Sequence, residues 1–233
     1  MSMTDLPATL RLNKHLALQL GISRREADDI IAKGKVTING EVATLGARFE
    51  QGDDIQIQGE KIADDTQYQY LILNKPVGYV CSRRQQGDSP TIYELLPDIY
   101  HHLKPVGRLD RDSSGIILLS NDGNFAFAMT HPKFAKKKIY QVTLDADLAP
   151  LHQQMISDHG IHLEDGTSTL QLERMNETDR KSWIVTMSEG RNRQIRRTFG
   201  ALGYTVEKLH RTNFGNYTLG DIEPGHFAPT TIL

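Results

Sequence analysis

The sequence predicts an α+β protein: a small N-terminal ααβ module, then a larger domain whose mainly antiparallel or mixed sheet is flanked by helices and loops. Three observations carry this. Residues 12–33 show two short helical periodicities closed by glycines, and residues 36–57 then switch to alternation of period two. From Tyr68 onward, apolar strand-like runs follow one another through irregular loops rather than in strict alternation with helices. At 233 residues the chain has room for a large and a small domain, since domains usually run to about 100–200 residues. The boundaries read as a module over 9–60, a polar linker over 61–67 and a second domain over 68–233.

In the module, Leu12, Leu16 and Leu20 recur four apart and mark one buried helical face, with Gly21 as a left-handed stop. Ser23-Arg24-Arg25-Glu26 reads as a capping box, in which Ser23 and Glu26 each satisfy a free backbone N–H of the other. The helix it opens runs to about Lys33, buries Ala27, Ile30 and Ile31, and stops at Gly34. Val36 and Ile38 alternate into an Asn39-Gly40 turn of the hairpin type, with Val42 beyond it. Ile55 and Ile57, after Gly52-Asp53, make a further short strand.

In the second domain, Tyr70 to Leu73 is a buried strand running into Asn74-Lys75-Pro76. Ile116 to Leu119 is another, stopped at Asn121-Asp122-Gly123. Ile139 to Leu144 and the alternation Trp183, Val185, Met187 supply further strands. Helices are expected near 123–130, 149–158 and 192–202. In the last, Ile195, Phe199 and Leu202 form a core stripe, while Arg193, Arg196 and Arg197 lie on neighbouring faces.

Composition narrows the function. Hydrophobic residues at 38% and charged residues at 24% fit a soluble globular chain with a real core. No apolar run approaches the roughly 18 residues of a membrane span, and MSMTDLPATL lacks the layout of a secretion signal. The single cysteine, Cys81, excludes an internal disulfide, fits a reducing cytoplasm, and reads as a small buried apolar side chain. Net charge is −2, yet the positive charge is concentrated. Residues 11–35 carry a surplus of 3, residues 133–138 hold four lysines and no acid, and residues 180–211 carry a surplus of 6. Such patches suit a polyanionic partner. Arg24 and Arg25 sit in a first helical turn, where the macrodipole disfavours cations, so an anion is expected beside them.

Three stretches could carry chemistry: Gly107-Arg108-Leu109-Asp110-Arg111-Asp112-Ser113-Ser114-Gly115 ahead of a strand, Lys138-Ile139-Tyr140 opening one, and Glu189-Gly190-Arg191-Asn192-Arg193-Gln194-Ile195-Arg196-Arg197 turning from strand to helix. Each has a local explanation taken singly. Asp110 suits an Asx turn, Tyr140 a strand surface, and the arginines a solvated helix face. The chain shows no phosphate loop, no dinucleotide fingerprint and no Cys/His cluster with metal-ligand spacing, so neither cofactor nor metal is expected.

The order of helix, SRREAD helix, Lys35-Val36-Thr37-Ile38-Asn39-Gly40 and Gly52-Asp53 strand resembles the RNA-binding module first named from small-subunit ribosomal protein S-four. Beyond it, Leu73-Asn74-Lys75-Pro76-Val77-Gly78-Tyr79-Val80, Gly107-Arg108-Leu109-Asp110 with Ser114-Gly115, Tyr140, and Glu189 to Arg197 resemble, in order, the bacterial ribosomal pseudouridine synthases that carry such a module. Many members have His where this chain has Arg193 and Met where it has Thr198; the Arg193 form resembles the large-subunit enzymes.

The resemblance implies isomerisation of a specific uridine in ribosomal RNA, large subunit ahead of small, with a tRNA stem-loop as the alternative substrate. It implies Asp110 as the essential aspartate, Tyr140 stacked on the target uracil, Arg196 as the basic partner of Asp110, and Arg108 beside the flipped nucleotide. Lys75, Arg193 and Arg197 join Arg108 on the substrate side, Lys75 within a motif that mainly supports the active-site loop, and Arg24 and Arg25 serve the module's own RNA contact. A carboxylate at the ribose can attack the anomeric carbon, stabilise charge there or take a sugar proton, and the sequence leaves these open. A monomer acting on RNA in the cytoplasm, away from membranes, is the expectation. Two other readings are a non-enzymatic ribosome- or RNA-binding protein, and a metal-dependent transferase using Asp110 and Asp112 as an Asp-x-Asp pair.

Overall fold

A computed structural model describes residues 9–62, 67–83, 85 and 87–233. The chain divides between Tyr68 and Gln69 into two units, each with its own core.

The first unit packs helices α1 (Leu12–Gln19) and α2 (Arg24–Ala32) with six short strands: β1 (Leu10–Arg11), β2 (Val36–Ile38), β3 (Glu41–Val42), β4 (Arg48–Phe49), β5 (Ile55–Ile57) and β6 (Glu60–Lys61). Four form a sheet in the order β3-β2-β5-β6, and β1 pairs with β4. Leu12 and Leu16 are buried as expected, but Leu20 is exposed. Helix α1 stops at Gln19, so the third leucine lies past the last turn and Ala17 fills the core instead. The capping box is formed: Glu26 N–H donates to Ser23 Oγ at 3.2 Å and Ser23 N–H to Glu26 Oε2 at 2.7 Å. Asn39 and Gly40 take φ of 51° and 85°, the paired positive values that a tight hairpin turn needs. Strands β4 and β6, two residues each, carry no periodicity that could have announced them. Lys61 pairs with Gln56, so the expected linker opens inside the sheet, while its residues 63–66 lie outside those described.

The second unit is built on strands β7 (Tyr70–Lys75), β8 (Lys104–Val106), β9 (Ser114–Ser120), β10 (Lys138–Leu144), β11 (Ile161–Leu163), β12 (Gly166–Ser168), β13 (Gln171–Asn176), β14 (Asp179–Met187), β15 (Val206–Phe214), β16 (Tyr217–Thr218) and β17 (Phe227–Thr230). Its main sheet runs β13-β14-β10-β15-β9-β7-β17, with β16 on β15 and β8 on β9, while β11 and β12 form a separate hairpin. Among the described strands of this sheet every pairing is antiparallel except β15 with β9, so the sheet is mixed and mainly antiparallel.

Strand β9 shows why the sheet is buried on both faces. Ile116 and Leu118 pack with Phe125 and Met129 of helix α3 (Gly123–Thr130), while Ile117 and Leu119 pack with Ile92, Tyr93 and Leu96 on the other side. A continuous apolar run is what a doubly covered strand requires. Helix α4 (Pro150–Gln154) continues into a π-helical turn over Met155–His159, filling the expected 149–158 region. Helix α5 spans only Gln194–Gly200, because Arg193 before it is left-handed at φ 46°. Ile195 and Phe199 enter the core cluster of Trp183 and Val185, with Leu202 packed beside them.

Gly115 is the tightest point of this sheet. A Cβ there would stand 2.1 Å from the carbonyl oxygen of Arg211 and 2.6 Å from its nitrogen, on a backbone with φ 107°. Backbone cannot yield as a side-chain tip can, so Gly115→Ala is expected to destabilise the second unit by about 3 kcal/mol or more. A urea melt within about 0.5 kcal/mol of wild type would contradict this packing.

Candidate active site

The loop from Gly107 to Ser113, entering β9, is held by donors that converge from separate parts of the chain. Its carbonyls are occupied in succession: Asp110 by Ser113 N–H at 3.1 Å, Arg111 by Gly78 N–H at 2.7 Å, Asp112 by Arg196 Nη2 at 2.8 Å and Ser113 by Lys75 Nζ at 2.6 Å. Leu109 N–H points at Cys81 Sγ, 3.4 Å away. The backbone is thus fixed from both sides, while the Asp110 side chain stays 36% exposed. It lines a cleft of about 920 Å³ with Arg108, Tyr140, Lys138, Arg193 and Arg211.

The cations around the loop divide differently from the expectation. Arg196 is not the ion-pair partner of Asp110. Its Nη1 donates to Val206 O, its Nη2 to Asp112 O, and its Nε lies 3.4 Å from Asp112 Oδ2 without a hydrogen bond. The cation nearest Asp110 is Arg193, at 3.6 Å from Oδ2, which also grips Asp112 through two bonds of 3.0 Å. The left-handed backbone at Arg193 turns its side chain from the head of α5 toward the two carboxylates. This pair holds the Asp112 carboxyl below its usual range, Arg193 being the largest cause and Arg196 adding to it, while Arg193 is itself raised by Asp112.

Two other expected substrate contacts are otherwise engaged. Lys75 is fully buried, its ammonium donating to Ser113 O and, at 3.0 Å, to Pro76 O. Burial pushes its pKa down, and it supports the loop from behind without lining the cleft itself. Arg197 spends its guanidinium on Asp165 in the β11–β12 turn, at 2.7 and 3.0 Å, and does not line the cleft. Arg191 binds the same turn through Asp165, Gly166 and Thr167. Arg108 is exposed and lines the cleft. In the first unit, Arg24 and Arg25 are exposed, with Arg24 donating to Asn13 at 3.2 Å.

One row across the sheet assembles the floor. Val185, Tyr140, Arg211, Gly115 and Lys75 are successive register partners on β14, β10, β15, β9 and β7. Tyr140 is buried to 7% exposure, and the Arg211 guanidinium lies 6.0 Å from its ring centroid and 4.9 Å from that of Phe214. Sequence reasoning misses Arg211. It is 2% exposed, and its Nε and Nη2 both donate to Ile116 O. A signal exists, because Leu209 and Arg211 alternate on one strand face, and an inward arginine needs a buried partner. Lys138 lines the cleft too, its ammonium 3.2 Å from Glu189 O and 5.4 Å from the Phe214 ring, with burial and then Arg211 lowering its pKa.

An accessible carboxylate beside a guanidinium, over a floor carrying a tyrosine ring, suits chemistry on a flat, anionic substrate. As an Asp-x-Asp metal pair, Asp110 and Asp112 are poorly placed, since Arg193 stands between them. Among the described residues no helix is long and apolar enough to cross a membrane.

Comparison with known proteins defines the class. Residues 69–201 match the model of the RNA pseudouridylate synthase family, and residues 10–55 match that of the S4 domain. The ribosomal small subunit pseudouridine synthase A of Pasteurella multocida is 38% identical over 214 residues, covering 91% of each chain. The ribosomal large subunit pseudouridine synthase B of Bacillus subtilis is 34% identical, over 92% of this chain and 89% of that one. A crystal structure of a pseudouridylate synthase superposes with a TM-score of 0.67 at 35% identity, covering 95% of this chain and 96% of the other. The chain belongs to the RNA pseudouridylate synthase family, a family of RNA isomerases, with an S4 domain at its N-terminal end.

The Asp112–Arg193 pair gives a test by pH. A carboxyl depressed in the folded state contributes stability that is present above its unfolded value near 3.9 and lost as pH falls through the lower folded value. Asp112→Asn is therefore expected to lower the unfolding midpoint at neutral pH, by an amount equivalent to about 1 kcal/mol for a half-exposed pair. The gap to wild type should close as pH drops below about 4. A gap that stays constant across thermal melts from pH 7 to 3 would show that the pair contributes nothing.

Proposed function

We propose that this protein isomerises a uridine of ribosomal RNA to pseudouridine, with Asp110 as the essential carboxylate. The observation that carries the reading is the clamped loop. Donors from Lys75, Gly78 and Arg196, with the loop's own Ser113 N–H, fix its backbone and leave the Asp110 side chain facing the cleft.

The reaction breaks the bond between ribose C1′ and N1 of the base, turns the base within the site, and joins C1′ to C5. The hydrogen on C5 leaves and N1 gains one, so the atoms balance with no co-reactant. Asp110 acts at the ribose, by bonding to the anomeric carbon or by removing a sugar proton. Tyr140 stacks on the detached base, a contact of about 1–3 kcal/mol that offsets the cost of unstacking the nucleotide. Arg193 holds Asp110 in place by charge, and Arg196 acts one step back by fixing Asp112 through its carbonyl. Arg108 meets the flipped nucleotide at the rim.

Ribosomal RNA as the substrate follows from the relatives, whose names cover both the small and the large subunit. Arg193 is the ground for preferring the large subunit, so both rRNAs belong in the test. Purified protein incubated with each unmodified rRNA should convert one uridine, read by chemical mapping of pseudouridine. Asp110→Asn should reduce single-turnover conversion by about 10³-fold or more while RNA affinity changes by no more than a few-fold. Steady conversion by the Asn variant would remove Asp110 from the chemistry.

The S4 unit supplies a second RNA contact through Arg24 and Arg25 at the head of α2. Replacing both with Ala should flatten log affinity against log salt by about one to two units, roughly 0.7–0.9 for each phosphate that is no longer neutralised. Conversion at saturating enzyme should survive. A salt slope equal to wild type would return these arginines to solvent.

A further inference from the structure

Beside the cleft stands a surface that the chemistry above does not use. Helix α3 buries Phe125 and Met129 but turns Phe127 outward, 47% exposed. After the helix, a 3-10 turn over Pro132–Phe134 presents Phe134, 42% exposed. The Phe127 and Phe134 rings meet edge to face at 5.7 Å, and His131 closes the group at 4.6 Å from Phe127. Lys133 lies over both rings, its Nζ 5.2 and 4.6 Å from their centroids. Even with Lys133 over them the two rings stay nearly half exposed, and clustered exposed apolar surface marks an interaction site. The stretch from 133 to 138 adds lysines at 136, 137 and 138 and no acid.

Position ties this cluster to RNA. Pro132, between His131 and Lys133, lines both the active-site cleft and a neighbouring hollow of about 370 Å³, which continues to Lys137. The two cavities also share Met187, Ser188 and Glu189, so one depression runs from Asp110 to Ala135 and Lys137, and the aromatic group adjoins it through Pro132 and Ala135, the chain neighbours of Lys133 and Phe134. Aromatic faces and lysines at the edge of such a path combine base stacking with backbone neutralisation, the two elements of single-strand recognition. We propose that Phe127 and Phe134, seated by Lys133, form a platform that stacks an unpaired base of the substrate RNA flanking the target nucleotide, while Lys136 and Lys137 take its phosphates. The platform rests on the isomerase reading for the identity of the bound strand, and its test is independent of turnover.

The probe is a 12-nucleotide oligoadenylate, which offers bases for stacking but no uridine for the chemistry, set against inorganic polyphosphate, which offers charge without bases. Phe127→Leu/Phe134→Leu in the full chain should bind oligoadenylate about tenfold more weakly, given the usual worth of a base–aromatic stack. Its affinity for polyphosphate and its salt slope should match wild type. Phe127→Trp/Phe134→Trp should retain oligoadenylate affinity, which keeps the test decisive if the leucine pair melts early. Unchanged oligoadenylate binding by the leucine pair would overturn the platform. So would an equal loss on polyphosphate, which would reduce the rings to a support for lysines. Concentration-dependent self-association of wild type that the leucine pair lacks would assign the rings to a second copy of the chain and overturn it as well. Conversion of rRNA by wild type alongside unchanged oligoadenylate binding by the leucine pair would sink the platform alone. Loss of oligoadenylate binding by the pair with no conversion by wild type would sink the isomerase reading alone.

Discussion

A single buried ammonium conditions the rest of the active unit. Lys75 has no access to water, and removing an ammonium from water costs several kcal/mol unless its protons find acceptors. It finds them in the carbonyls of Pro76 and Ser113, which draws the end of β7 and the entry to β9 onto one point. Burial lowers its pKa, and Asp110 and Asp112 are among the charges that oppose that fall. The loop that Lys75 holds therefore helps to keep Lys75 charged. Removing the cation would leave a buried carbonyl unanswered at the residue that turns the loop into the sheet.

From that point the site spreads sideways along one register row rather than along the chain. Tyr140, Arg211, Gly115 and Lys75 come from four strands, yet they are neighbours because hydrogen-bonded pairing places them so. Gly115 makes the row possible by letting the β15 backbone close to a distance that any side chain would block. Arg211 completes it, spending its donors on Ile116 O behind the loop while its flat face lies near Tyr140 and Phe214. The floor is thus a consequence of sheet geometry, and the loop with its carboxylates is laid upon it.

What sequence can and cannot convey follows from the range of each interaction. Features decided within a few residues are legible: the Ser23–Glu26 box, the Asn39-Gly40 turn, the continuous apolar run of β9, and the loop position of Asp110. Leu20 misleads because periodicity continues past a helix that Gly21 has already ended. The arginines mislead more, since a cation's role depends on which anion the fold brings to it. Arg197 and Arg191 look in the sequence like an RNA-facing patch, but Asp165 reaches them from a hairpin some thirty positions earlier. Resemblance assigns Arg196 to Asp110, whereas its second Nη reaches a carbonyl and Arg193 comes closer to the carboxylate. Arg211 escapes notice because a charge in a strand draws attention only when the strand's inward face is known.

The pairing of β15 with β9 and of β17 with β7 also governs when the site can exist. Arg211 bonds to Ile116 across 95 positions, and Asn74 to Ile222 across 148. Contacts this distant form late and slowly, because the intervening chain must close before they return any stability. The first unit ends at Tyr68, and its described strand pairings reach no further along the chain than Leu10 with Phe49, so it can fold while the rest is still being synthesised. The row under Asp110 lacks Arg211 until β15 has joined β9, so a nascent chain that has not reached β15 has only part of that floor. Folding therefore has two natural stages: an S4 unit that can be ready early, and a cleft whose floor is complete only after synthesis has passed β15.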